Sequence, residues 1–265
     1  FSPDEGTLVV GVGEKRLVAY TLEGERRWIF GLDEVPRPVR FSADSRVVGV
    51  ALPDGHGIDL LETATGKLVN AVTSKGHLND YAFAPQGDRL ALSWDDGRLQ
   101  ICHADGRPDG VWACAGPPGR LAWAPDGWRL LVGVGDKVQL LSMGQSEAVY
   151  ATDRWHLSPV SWSPGGTHFA LDHFRAPNRF GVSLRELPDG RIMRYDETQD
   201  HVSVDWSPDN HLLAVATDRV RVYRLVDGEE AYSAPDVGSR QAWFAAHGHR
   251  MAVWTWDGSI RIWDF

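Results

Sequence analysis

One short pattern recurs along the whole chain: an aromatic, a small residue, Pro or Ala, then a turn former. It reads Phe1-Ser2-Pro3-Asp4, Phe41-Ser42-Ala43-Asp44, Phe83-Ala84-Pro85-Gln86 and Trp123-Ala124-Pro125-Asp126. It continues as Trp162-Ser163-Pro164-Gly165, Trp206-Ser207-Pro208-Asp209 and Phe244-Ala245-Ala246-His247. Successive aromatics lie 38 to 44 residues apart. A period of this length means one supersecondary unit used repeatedly, because a single unit cannot bury its own apolar face and must stack on its neighbours.

Each unit reads alike after the turn. An apolar run comes first, such as Val47-Val48-Gly49-Val50, Leu90-Ala91-Leu92 or Leu212-Leu213-Ala214-Val215. A tight Asp/Gly turn follows, such as Asp95-Asp96-Gly97 or Asp257-Gly258, and these are turn-forming pairs. Next is an alternating run, such as Leu99-Gln100-Ile101 or Ile260-Arg261-Ile262-Trp263, the pattern of a half-exposed strand. A second turn leads to a weaker outer strand, such as Leu68-Val69-Asn70-Ala71-Val72. No apolar stripe of period 3.6 appears, so the reading is all-β with little or no helix. Four short antiparallel strands per unit, repeated seven times, predict a seven-bladed β-propeller of four-stranded blades. The repeated Phe or Trp then fills the space between blades.

The units resemble the WD40 repeat. The last one carries the resemblance furthest, in Trp256-Asp257-Gly258-Ser259-Ile260-Arg261-Ile262-Trp263-Asp264, and Gly76-His77 resembles the Gly-His that opens a family repeat. Elsewhere the Trp-Asp position has drifted to Tyr20-Thr21, Leu61-Glu62, Cys102-His103, Leu141-Ser142, Arg185-Glu186 and Tyr223-Arg224. The resemblance implies structural roles for His77, Ser93, Asp257 and Trp263, with His77, Ser93 and Asp95 or Asp96 as the remnant of the family's buried polar network. It also implies a scaffold or sensor module, which fits regulation of, or recruitment for, an attached N-terminal domain.

Residues 1–265 read as a single WD40-like propeller domain. The first unit begins at the end of its first strand and the last stops after its third, leaving 26 strands where seven full blades need 28. One outer and one inner strand are therefore expected before residue 1, in the C-terminal part of a longer chain.

Several chemistries are disfavoured. The net charge of −9 argues against a nucleic-acid surface, which needs clustered cations. The longest stretch free of Asp, Glu, Lys and Arg, from Trp155 to Leu171, holds two His and two Pro and is no membrane span. Two cysteines make no disulfide scaffold. Cys102 and Cys114 should face each other across a hairpin folded about Pro108, with reduced thiols expected. This usage fits a cytoplasmic setting. His247-Gly248-His249 lacks the third ligand that a metal site needs. Asp172-His173 has no nucleophile beside it. Gly11-Val12-Gly13 and Gly133-Val134-Gly135 lie between strands rather than before a helix, so they are not nucleotide loops. No catalytic residue, metal or cofactor is expected.

The fifth unit has an expanded connection between its second and third strands, Asp172 to Gly181, with two Arg and two Phe. Loops on rigid scaffolds carry recognition, and Arg with aromatics makes good anchors. The expected contact face comprises His173, Arg175, Arg179 and Phe180 from this connection, together with Asp80, Trp94, Asp95, Arg120, Arg240, Trp254 and Trp256. The expected function is non-catalytic binding of a protein or peptide, or of another domain of the same chain. The alternative is a propeller enzyme or small-ligand ring with inward carboxylates at its axial channel.

Overall fold

A computed structural model describes residues 1–265 except 13–14, 33–38, 115, 136, 144, 152–159, 176–178, 199–202, 235–237, 246–249 and 265. For 145–151, 160, 172–175, 179–180, 195 and 197–198 it describes the backbone alone. The repeat aromatic has a constant structural place. Phe41, Phe83, Trp123, Trp162, Trp206 and Phe244 each end the first strand of a sheet. In the turn that follows, the fourth residue after the aromatic has a positive φ: Glu5, Ser45, Gly87, Gly127, Gly166 and Asn210. The Ser of the motif fastens three of these turns. The Oγ atoms of Ser2, Ser42 and Ser207 donate to Asp4, Asp44 and Asp209 at 2.5, 2.7 and 2.6 Å. The same oxygens accept from the N–H groups of Thr7, Val47 and Leu212, where the next strand begins.

The strands form seven antiparallel sheets. The first has three strands, β1 (Leu8–Val12), β2 (Arg16–Tyr20) and β3 (Arg26–Gly31). The second runs β4 (Val39–Phe41), β5 (Val47–Ala51), β6 (Gly57–Glu62) and β7 (Leu68–Thr73). The third runs β8 (Leu78–Phe83), β9 (Arg89–Trp94), β10 (Arg98–His103) and β11 (Pro108–Ala113). The fourth runs β12 (Pro118–Trp123), β13 (Arg129–Val134), β14 (Lys137–Ser142) and β15 (Gln145–Ala151). The fifth runs β16 (Val160–Trp162), β17 (His168–Arg175), β18 (Arg179–Glu186) and β19 (Arg191–Thr198). The sixth runs β20 (Ser203–Trp206), β21 (Leu212–Ala216), β22 (Val220–Arg224) and β23 (Glu230–Ala234). The seventh has β24 (Ser239–Phe244), β25 (Arg250–Thr255) and β26 (Ile260–Asp264). No helix occurs among the described residues, and so none long and apolar enough to cross a membrane. These are the seven blades that the repeat predicts, with short first and last sheets.

The chain divides into two compact units, residues 1–134 with 140–147, and 135–139 with 148–265. In the first unit, Ile58, Leu60, Tyr81, Leu90, Leu92 and Trp94 form one cluster between the second and third sheets. Leu99, Ile101, Leu121, Trp123, Leu130 and Val132 form the next. In the second unit, Val182, Leu184, Trp206, Leu213, Val215 and Tyr223 join the fifth and sixth sheets. Val220, Val222, Met251 and Val253 join the sixth and seventh. Each cluster spans residues about one repeat apart, so blades are held mainly by their neighbours. The repeat Trp adds a polar tie as well as area. Trp123 Nε1 donates to the Ala82 carbonyl at 2.9 Å, and Trp206 Nε1 to Ser161 Oγ at 2.8 Å.

Two expectations are corrected by strand register. The fifth unit's expanded connection is not an irregular loop. β17 and β18 each run for eight residues and stay paired out to Arg175 opposite Arg179, so most of the extra length extends the hairpin. Cys102 and Cys114 do not face each other. The hairpin turns at 103–107, where the His103 amide donates to the Arg107 carbonyl. Cys102 therefore lies opposite Pro108, while the Cys114 amide reaches Gly97 at the far end. Both thiols are free, and burial pushes Cys102 up to about 12. Gly11 and Gly133 do sit within hairpins, away from any phosphate loop.

Candidate functional site

In the first unit a carboxylate clasps three blades. Asp80 on β8 is buried, and its Oδ1 meets Arg40 Nη1 of β4 at 2.8 Å and Arg120 Nη1 of β12 at 4.0 Å. Its oxygens also accept from the amides of Tyr81 and Leu121, each at 3.0 Å. The Arg40 guanidinium lies over the Tyr81 ring, 5.0 Å from its centre. The side chain of Asp80 is only 6% exposed. Asp80 is thus an internal tie rather than the contact residue expected from the sequence, because its oxygens are already engaged.

Trp94 is corrected likewise. It is wholly buried in the cluster between the second and third sheets and offers no surface to a partner. The polar remnant expected around His77 is not assembled. Ser93 Oγ donates to the Gly119 carbonyl at 2.7 Å and reaches that of Asp80 at 3.3 Å. The exposed His77 ring stacks on His56 instead, with ring centres 4.4 Å apart. Asp95 caps the backbone amide of His77 at 2.8 Å. Ser93 keeps a structural place, between different partners from those implied.

The second unit presents a different arrangement. Arg240 of β24 sits against two indole rings, with its guanidinium 5.0 Å from the Trp254 ring centre and 4.5 Å from that of Trp256. Arg240 is exposed, Trp254 is half-buried and Trp256 is 48% exposed. The local chain forces this meeting. β24 and β25 pair antiparallel with an irregularity between Ser239 and Gln241, which leaves Arg240 outside the regular register beside Trp254. Behind Trp256, the Asp257 turn is tight. Thr255 Oγ1 and the Ser259 amide donate to Asp257 and hold its carboxyl at about 2. Trp263 is half-buried, tilted against Tyr232 with centres 5.9 Å apart. Asp257 and Trp263 therefore occupy structural positions.

Arg120 has a half-exposed side chain and remains accessible. The backbones of His173, Arg175, Arg179 and Phe180 lie in the β17–β18 hairpin, and their side chains fall outside the described residues, as does Asp172. His247-Gly248-His249 also falls outside them. Among the described residues no three His, Cys, Asp or Glu side chains are placed to hold a metal.

Two notable residues escaped the sequence reading. Arg40, the main partner of Asp80, precedes a repeat aromatic with no spacing to mark it. Trp128 is 57% exposed under the Arg89 guanidinium, 4.5 Å from the ring centre. Its signal was available, as a large aromatic directly after the Asp126-Gly127 turn. An open cleft of about 460 Å³ in the first unit is lined, among the described residues, by Phe1, Val39, Arg40, Phe41, Phe83 and Leu121 with Pro3, Val9 and Ala82.

No protein-family model matches the sequence, and no curated protein matches it. Among solved structures, the chain is similar to the β-propeller domain of Myceliophteria thermophila Cps50 (Swd1). That likeness covers 100% of this chain and 94% of the other, with a TM-score of 0.66 at 11% identity. Repeat, sheet count and likeness agree on the fold: this is a seven-bladed β-propeller.

Proposed function

We propose that this propeller is a non-catalytic protein-interaction module, working in the cytoplasm, that binds a protein or peptide partner. The supporting observation is the Arg240–Trp254–Trp256 stack. Trp and Arg dominate interface energetics, and here they form a partly exposed group on β24, β25 and the turn that follows β25. Arg120 and Asp95 in the first unit, and the hairpin residues His173, Arg175, Arg179 and Phe180, remain further candidates for contact. Affinity capture with the whole chain tests the reading. Trp256→Ala should cut recovery of at least one partner about tenfold without shifting the melting temperature by more than a few degrees. Equal recovery of every partner by both proteins would overturn it.

A further inference from the structure

The chemistry of the stack narrows the class of partner, and this narrowing rests on the interaction reading above. A guanidinium is planar, carries five N–H donors in its plane and cannot lose its charge. The Arg240 guanidinium lies over both indole rings, and no described residue takes a hydrogen bond from its donors. Among the described residues Arg240 has no ion pair and no hydrogen bond, only the two indole faces. The other arginines of the same sheet differ. Arg250 meets Asp264 at 2.6 Å, and Arg261 lies 3.9 Å from Asp257. Among the described residues Arg240 is thus the arginine of this sheet that meets no carboxylate. The two rings also reduce the side-chain freedom that binding would otherwise remove.

We propose that Arg240 anchors a carboxylate of the partner, so that the second unit binds an acidic peptide segment. An Asp or Glu takes the in-plane donors in a bidentate pair. An apolar neighbour in the peptide covers the exposed face of Trp256. A single cation beside two rings suits one carboxylate. A nucleic acid or an anionic membrane needs several clustered cations, and the chain as a whole carries −9.

Selection of twelve-residue displayed peptides on the whole chain, with counter-selection on Arg240→Gln, tests this. Peptides held by the wild type and rejected by Arg240→Gln should carry an Asp or Glu beside an apolar residue. Changing that acid to its amide in a synthetic peptide should weaken binding about tenfold, as should Arg240→Gln. Arg240→Lys should retain part of the affinity, having charge without the planar fork. Arg250→Gln should bind as the wild type does. Discriminating peptides that are neutral or basic, or an acid-to-amide change without effect, would overturn the inference. An oligothymidylate bound more tightly than the acidic peptides would also overturn it. If Trp256→Ala loses the peptides while Arg240→Gln keeps them, only the acidic partner falls. If Trp256→Ala also keeps them, the interaction reading falls with it.

Discussion

Arg40 in the first unit and Arg240 in the second are each stacked on an aromatic ring near a first strand, yet they solve opposite problems. Arg40 is paired with a carboxylate that is itself buried and also takes two backbone amides. Its charge is consumed in joining neighbouring blades. Arg240 lies over two rings and meets no carboxylate among the described residues, which is why we assign its charge to a partner. The contrast teaches that an arginine on a propeller strand becomes informative about partners only once its counter-charge is known.

The largest effect that could break this contrast is at Asp80. Asp80→Ala leaves the Leu121 amide and the Arg40 guanidinium without their acceptor, and should lower unfolding stability by about 3 kcal/mol. Denaturant titration reads this directly, and a loss below about 1 kcal/mol would mean that the clasp is ornamental. Double-mutant cycles sharpen the same point. The Arg40–Asp80 coupling should be about 1–2 kcal/mol, and that of Arg240 with Trp256 about 0.5–1 kcal/mol. Comparable couplings would remove the distinction between a structural and a poised arginine.

A second test compares the units in acid. Burial holds the His168 imidazole of β17 below its ordinary value, opposed by nearby Glu186. The neutral ring fits the fold. As the pH falls through the ordinary imidazole range, the unfolded chain takes up a proton that the folded chain resists, so stability falls. Hydrogen exchange between about pH 7 and 5 should therefore show the fifth sheet loosening, and His168→Gln should reduce that dependence. An unchanged pH profile in His168→Gln would refute it.

The smallest effect concerns the repeated turn. Glu5 in the first unit and Asn210 in the second occupy the same left-handed position, with φ of 57° and 60°. Glu5→Gly should stabilise by about 0.5–1 kcal/mol, because Glu tolerates that conformation poorly. Asn210→Gly should give no gain. Asn visits this region readily, and its Oδ1 accepts from the Gly165 amide at 2.8 Å. Thermal melting of the two variants should move in different directions, and equal shifts would show that local strain does not govern this turn.

Much of the architecture was legible in advance because strand, turn and aromatic signals are local and recur. The alternation in Leu99-Gln100-Ile101 reappears as buried, half-buried and buried, and Phe83 and Trp206 end their strands where the motif places them. Side-chain fate was less legible. Trp94 and Trp256 each stand at a hairpin end in the sequence, yet one is enclosed and the other exposed. Asp80 looked like a surface acid because Arg40 is 40 residues away and no periodicity joins them. Cys102 and Cys114 were mispaired because the turn centre shifted from Pro108 to Asp105-Gly106.

The repeat by itself determined the number of blades, their strand order and the position of each interblade aromatic, because these follow from hydrophobic alternation and turn chemistry within a few residues. Only the tertiary structure decided which charges are spent internally and which are left over. The counter-charges of Asp80 come from neighbouring blades, and a pairing between residues one repeat apart leaves no trace in local sequence.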